Sequence, residues 1–195
     1  MRRLWLAAAA VVVISFSILG WIGSRIYQQM PPIPDRVVAT DGTELISSGE
    51  IKRGQNVWQS MGGMEVGSIW GHGSYVAPDW TADWLHREAS AVLEEWAAAG
   101  YHRPYAQLPP ETQAQLQGRL QQLYRTNSYD PATGVLSVDP ARARAYHTVL
   151  EHFSKVFMQG EVNYSIPAGT INDPERMRAL GAFIFWTAWA AAANR

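Results

Sequence analysis

The sequence predicts a mainly α-helical protein with an N-terminal transmembrane helix, an α-rich domain and a small β-hairpin. Residues 4–22 form an uncharged apolar run, and several later segments place apolar residues at helical spacing between capping signals. Asp41 and Gly42 separate two short β-prone runs, which is typical of a hairpin turn. We therefore divide the chain into an anchor, residues 1–25, a proline-rich spacer, residues 26–35, and a domain, residues 36–195.

The N-terminal run is long enough to cross a bilayer. At about 1.5 Å per residue, residues 4–22 nearly match a hydrocarbon core of roughly 30 Å. Trp5 and Trp21 stand at its ends as interfacial aromatics, and Arg2 and Arg3 favour a cytoplasmic N-terminus. A cleaved signal peptide is the alternative, but "LGWIGSRIYQQ" is a poor cleavage site because bulky residues surround it. We favour an uncleaved anchor whose membrane partner is the lipid bilayer.

The first elements of the domain are a hairpin and a helix. The hairpin lies in "RVVATDGTELIS", and Ser47 and Glu50 are spaced as a capping box that could open the helix. Gly54 weakens this helix prediction, and Gly62 and Gly63 end the pattern. The apolar residues of this helix are Ile51, Val57, Trp58 and Met61.

Further helices follow an irregular, glycine-rich stretch. Thr81 is a plausible N-cap for a helix that stops at Gly100, and residues 111–125 form a polar helix with one leucine stripe. Residues 135–138 are a short extended run. The pairs Asp139-Pro140 and Asp173-Pro174 each combine an N-cap with a proline at the first helical position.

The last helix has two interpretations. Its apolar part, residues 179–193, would be roughly 22 Å long, which is short for a membrane span. We interpret it as a buried or membrane-grazing helix of the domain. A clipped transmembrane helix is the alternative.

Composition excludes several classes of site. A net charge of −1 gives no basic field, so we expect no nucleic-acid partner. The chain has no cysteine, which excludes disulfides, thiolate metal sites, a cysteine nucleophile and covalent haem attachment through C-x-x-C-H. The spacing of the five histidines does not predict a zinc site, and the adjacent Glu94 and Glu95 indicate a solvated helix face. The residues alone indicate no self-sufficient active site, and we predict no catalytic residue.

The tract "GQNVWQSMGGMEVGSIWGHGSYVAPDWTADWLHREA", residues 54–89, closely resembles the N-terminal region of quinol-dependent nitric oxide reductases. The resemblance extends over the whole chain. It implies a cytochrome c-like fold on the periplasmic side of the bacterial inner membrane, joined to a catalytic membrane core that converts NO to N2O. In the family, haem b and non-haem iron are held by that core, and this chain ends at Arg195, where the core should begin. We therefore expect an anchor and periplasmic cap without activity of its own; a dimer is left open.

The resemblance also implies that the haem of this domain is lost. The related cytochrome subunit carries a C-x-x-C-H motif, and the positions of its two cysteines and its histidine correspond here to Gly63, Val66 and Gly67. We accordingly expect no cofactor in this chain. Trp58, Trp70 and Trp84 are our candidates for filling the vacated volume.

A calcium site is implied at the following run. "G-x-G-x-Y-x-A-P" in the relatives matches residues 71–78, and its glycine carbonyl and tyrosine reach a calcium ion between the haems of the core. The matching residues are Gly73 and Tyr75, and oxygen ligands of this kind suit calcium. Alternatively, Tyr75 only packs at the interface. A membrane-anchored periplasmic binding or scaffold module without a redox partner is the alternative for the chain as a whole.

Overall fold

The computed structural model describes residues 2–71 and 78–194, and the chain divides into two compact units, Met1–Pro32 and Ile33–Arg195. The first unit contains helix α1, Arg2–Gln28, none of whose described residues is buried. Its mean hydropathy reaches 2.2, and it is long and apolar enough to cross a membrane by length and composition. The helix extends beyond the predicted apolar run at both ends.

The second unit is mainly α-helical, as predicted, and the predicted hairpin is part of a small four-stranded sheet. Short 3-10 turns at Gly63–Val66, Tyr105–Gln107 and Val162–Tyr164 join its elements, and α5 continues into a π-helical segment at Lys155–Gln159. In chain order, the described strands and helices are β1 Arg36–Ala39, β2 Glu44–Ile46, α2 Glu50–Ser60, α3 Trp80–Tyr101, α4 Pro110–Arg125, β3 Tyr129–Asp130, β4 Val135–Val138, α5 Pro140–Ser154 and α6 Pro174–Ala192.

The sheet has the strand order β2-β1-β4-β3. Strands β1 and β2 form the predicted hairpin, in which Gly42 has a φ of 93°. The extended run at β4 was also predicted, but its parallel pairing with β1, from Arg36 opposite Val135 to Ala39 opposite Val138, was not. Because this pairing joins distant parts of the chain, local sequence patterns contain no signal for it.

Two of the four predicted N-caps are correct. Asp139 and Asp173 accept hydrogen bonds from Ala141 N and Glu175 N at 2.8 Å, with proline following as predicted. The prediction of Thr81 as an N-cap is wrong, since Asp79 caps α3.

The prediction of Ser47 as the N-cap of a capping box is only partly correct. Glu50 accepts hydrogen bonds from the backbone N–H and the hydroxyl of Ser47, both at 3.0 Å, which is half of the expected arrangement. The helix nevertheless begins at Glu50, and Gly49, in a left-handed conformation with φ 75°, occupies the N-cap position. The side chain of Glu50 is therefore directed back to the preceding turn by a helix that starts two residues later than predicted.

Gly54 permits the close crossing of α2 and α6. A Cβ atom at this position would lie 1.8 Å from the carbonyl oxygen of Ala179 and 2.7 Å from Cβ of Phe183. The glycine that weakened the helix prediction is thus the residue that lets the two helix backbones approach. Tertiary packing outweighs the roughly 1 kcal/mol that glycine costs in a helix interior.

Helix α6 is the buried centre of the domain. Helices α2, α3, α4 and α5 all contact it, and residues 179–190 are buried together with Met177. The interpretation of α6 as a buried helix is confirmed, because protein covers its whole circumference. Around it lies an aromatic core in which Trp84, Tyr146 and Phe185 pack at ring-centroid distances of 5.5 to 6.2 Å.

Candidate functional site

The glycine-rich tract is closed at its base by paired backbone. The amide of Ser68 donates to Pro78 O at 3.1 Å, and the amide of Trp80 donates to Ser68 O at 2.9 Å. Residues 72–77, between these two flanks, lie outside the described residues. We call the described flanks, residues 63–71 and 78–81, the loop base.

Asp79 organises the loop base and α3 at once. Its Oδ2 atom accepts hydrogen bonds from the Ser68 hydroxyl at 2.8 Å and from the Gly71 amide at 2.5 Å. Its Oδ1 atom accepts from Ala82 N at 2.9 Å, which caps the helix. A single carboxylate therefore couples the position of the loop to the start of the helix.

Trp70 is held at the surface of the loop base by several contacts. Its backbone is left-handed, with φ 56°, which is uncommon for a residue other than glycine. Its amide donates to Thr81 Oγ1 at 3.3 Å and its indole Nε1 donates to Thr187 O at 2.9 Å. The ring packs on Trp186 at a centroid distance of 5.6 Å, yet 43% of the residue remains exposed. The side chain is ordered by the protein while much of its apolar surface faces outward.

Thr81 supports this arrangement from inside the domain. Its hydroxyl donates to Thr187 Oγ1 at 3.1 Å, and Thr187 donates in turn to Ile184 O at 2.7 Å. Both threonines are buried and fully hydrogen-bonded, which satisfies their hydroxyls. The residue that we predicted as a helix cap is instead a bridge between Trp70 and α6.

Trp80 packs against the segment where the resemblance puts a haem attachment motif. Its Nε1 donates to Val66 O at 3.1 Å, and a Cβ atom on Gly67 would lie only 1.9 Å from that nitrogen. A Cβ atom on Gly63 would meet the ring of Trp58 at 3.8 Å. Indole rings therefore contact both ends of the segment that would carry the cysteines and the histidine.

Two of the three tryptophans that we expected to fill this volume are buried. Trp58 is 7% exposed and Trp84 is fully buried, whereas Trp70 is half exposed and does not fill the interior. Trp80, which is fully buried and packs on Phe157 at 5.1 Å, is the residue that the prediction missed. The sequence feature that could have indicated Trp80 is its position directly after the N-cap Asp79, in the first turn of α3.

A buried ion pair lies near this aromatic core. Arg142 Nε and Glu88 Oε1 are 2.7 Å apart, and both side chains are at most 4% exposed. Glu88 also accepts from Trp84 Nε1 at 3.0 Å, and the Arg142 guanidinium stacks 4.3 Å from the ring centre of Tyr124. Burial, reinforced by the Glu88 charge, raises the pKa of Tyr124. The cluster joins α3, α4 and α5, and it was not predicted because its partners lie far apart in sequence.

The structure does not test the predicted calcium site. Gly73 and Tyr75, the expected calcium ligands, lie outside the described residues together with His72, so their role stays a prediction. Over residues 2–71 and 78–194, no three histidine, aspartate or glutamate side chains converge on a metal-sized site. Glu94 and Glu95 have separate partners, the amide of Tyr105 at 2.9 Å and the guanidinium of Arg144 at 2.5 Å. They do not act as a carboxylate pair.

Comparison with known families identifies the second unit. A family model described as the NorB cytochrome c-like domain of nitric oxide reductase matches residues 34–195. No curated protein matches the chain. The match includes the loop base, the buried tryptophans and α6.

Proposed function

Since the chain belongs to the family of NorB cytochrome c-like domains of nitric oxide reductases, we propose that it is the anchor and periplasmic cap of a quinol-dependent nitric oxide reductase. In this proposal α1 crosses the bacterial inner membrane with its N-terminus in the cytoplasm. The domain covers the outer face of the catalytic core, where NO is converted to N2O. The role of the chain is structural.

The lack of a haem attachment motif supports a structural role. With no cysteine in the chain, thioether attachment of haem has no chemical basis. Trp80 and Trp58 fill the space beside Val66, Gly67 and Gly63. Electrons then enter from quinol within the membrane core, where haem b and non-haem iron carry out the chemistry.

The main support for the cap function is the environment of Trp70. Tryptophan is enriched at the energetic centres of protein interfaces, and an ordered side chain loses little conformational freedom on binding. Trp70 has both properties, since its backbone, indole nitrogen and ring are all engaged while 43% of the residue is exposed. We propose that this face of the loop base contacts the catalytic core.

Gly73 and Tyr75 extend the same surface in this proposal, as ligands of a calcium ion at the interface with the core. The hydrogen bonds of the loop base support this proposal, because Asp79 binds Ser68 and Gly71 and also caps the start of α3. The oxygens of Asp79 are already engaged by three donors. A backbone carbonyl and a phenol oxygen from the loop would therefore serve as ligands in its place.

The cap function is tested in the reductase that contains both this chain and the catalytic core. Trp70→Ala should weaken retention of the core on affinity-tagged chain by about thirtyfold, since loss of an interface hot spot costs about 2 kcal/mol or more. Tyr101→Ala is the matched control, because Tyr101 is also 43% exposed but lies at the far end of α3. Equal retention by the two variants would contradict the role of Trp70.

The same experiment separates the alternative function. A membrane-anchored binding or scaffold module would retain no core even as the wild-type chain. In that case nitric oxide reduction by the core would be the same with and without this chain. Such a result would exclude the cap function as a whole.

A further inference from the structure

A second surface of the domain, unrelated to the loop base, brings two histidines together. A cleft of about 270 Å3 lies between α3 and α5. It is lined by His86, Arg87, Ser90, Thr148, Val149 and His152. Neither the predicted site nor the proposed function uses these residues.

The register of the two helices explains why the histidines share this cleft. Glu95 and Arg144 form a two-contact ion pair, at 2.5 and 3.0 Å, where α3 and α5 meet. From that pair, Ser90 and His86 follow toward the start of α3, while Thr148 and His152 follow toward the end of α5. Ser90 and His86 are four residues apart, as are Thr148 and His152, so each of these two pairs lies on one face of its helix. His86 of α3 and His152 of α5 line the same cleft.

His152 carries a ring nitrogen that the protein leaves unsatisfied. Its Nε2 atom is buried and has no hydrogen-bond partner within the described part of the chain. Buried polar atoms without a partner are rare in folded proteins, and an unseen water or ion is a usual explanation. Burial, together with the charge of Arg87, lowers the pKa of His152, so the imidazole is neutral at neutral pH. Neutral imidazole is the form that binds metal ions.

The hydroxyl groups of the cleft also present acceptor atoms. Ser90 donates its proton to His86 O at 2.8 Å, and Thr148 donates to Arg144 O at 3.4 Å. Their oxygen lone pairs therefore remain available. A ligand in this cleft meets nitrogen and oxygen lone pairs, which suit a cation.

The charges around the cleft do not oppose a cation. Arg87 is paired with Asp83 at 2.8 Å, and Lys155 is paired with Glu151 at 2.9 Å. The charges that act on His152 are those of Arg87 and Lys155, balanced by those of Asp83 and Glu161. Because both arginine and lysine already have carboxylate partners, the cleft has little to attract an anion.

We propose that His86 and His152 form a two-histidine site for a divalent transition-metal ion of the Zn2+ type, which links α3 to α5. Imidazole nitrogen is a preferred ligand of such ions, whereas Mg2+ and Ca2+ prefer oxygen. Because no third histidine or carboxylate converges there among the residues the structure describes, water completes the coordination.

Zn2+ titration of the purified chain by calorimetry tests this site. The wild-type chain should bind about one Zn2+ at the cleft, and Mg2+ under the same conditions should not bind. His86→Ala and His152→Ala should each weaken Zn2+ binding by about tenfold or more, since even the loss of a residue behind a metal ligand has effects of this size. Zn2+ should also raise the Tm of the wild-type chain but not that of His86→Ala.

His147→Ala is the matched control, because His147 is an exposed histidine of the same helix that does not line the cleft. It should bind Zn2+ as the wild type does. Unchanged affinity in His86→Ala, or an equal loss in His147→Ala, would overturn the proposal. His86 is exposed, so its variant is expected to fold, and circular dichroism of each variant verifies this. The outcome does not depend on the catalytic core.

Discussion

The indole of Trp80 lies against the backbone of Gly67, and its Nε1 atom donates to the carbonyl of the preceding residue, Val66, at 3.1 Å. Gly67 has a φ of 144°, which an L-residue rarely adopts. The contact requires glycine at position 67 for two reasons: the indole leaves no room for a Cβ atom, and the backbone adopts a conformation that favours glycine. It closes the segment where the family resemblance puts the haem-ligating histidine.

Gly67→Ala should lower the free energy of unfolding by about 3 kcal/mol or more, because overpacking at the indole adds to backbone strain. A Cβ atom there would lie 1.9 Å from Trp80 Nε1. Urea unfolding followed by tryptophan fluorescence measures the loss. Gly71→Ala is the control, since Gly71 has a φ of 76° but no atom of the described residues within 4 Å of the place that a Cβ would take. It should lose only about 1–2 kcal/mol from the backbone; equal losses would contradict the packing argument.

Gly54→Ala should separate α2 from α6 and destabilise the domain. The added methyl group would lie 1.8 Å from a backbone oxygen of α6, which cannot move aside as a flexible side chain can. We expect a loss of about 2 kcal/mol or more, measured as the decrease in the urea midpoint. Gly118→Ala is the matched control on α4, because no atom in the described part of the chain lies within 4 Å of the added Cβ, and it should stabilise the protein by about 0.5–1 kcal/mol. A neutral effect at Gly54 would show that the crossing is not tight.

Glu88→Ala should be strongly destabilising because it leaves the Arg142 charge buried without its partner. Removing one member of a buried pair costs about 3–5 kcal/mol. The exposed pair of Glu95 and Arg144 is the internal control, and Glu95→Ala should cost at most about 1 kcal/mol. Chemical denaturation of both variants measures the difference. Similar losses in the two variants would mean that burial adds nothing to the Glu88 pair.

Tyr75→Phe should lower the calcium content of the reductase that contains the catalytic core, together with its rate of nitric oxide reduction. The change removes one oxygen ligand and leaves the aromatic ring, so packing is retained. Elemental analysis of the purified enzyme measures calcium. Tyr101→Phe is the control for loss of a tyrosine hydroxyl elsewhere. Unchanged calcium in Tyr75→Phe would favour the alternative in which Tyr75 only packs at the interface.

Local sequence signals correctly predicted the elements that are determined by neighbouring residues. The Asp-Pro pairs located the starts of α5 and α6, and Asp41-Gly42 located the hairpin. These signals succeed because a cap or a turn depends on a few neighbouring residues. Thr81 failed as a cap since the Asp79 carboxylate, two residues earlier, takes that role, and the Thr81 hydroxyl finds a partner on α6.

The sequence by itself determined the class of the protein: an apolar N-terminal helix, a helical domain, the absence of cysteine and the tract that marks the family. Only the tertiary structure decided that Trp80 covers Gly67, that Trp70 is held half exposed, and that His86 and His152 line one cleft. The physical reason is the distance along the sequence over which each kind of interaction acts. Composition and capping act within a few residues, whereas these contacts join separate elements whose mutual packing no local pattern encodes.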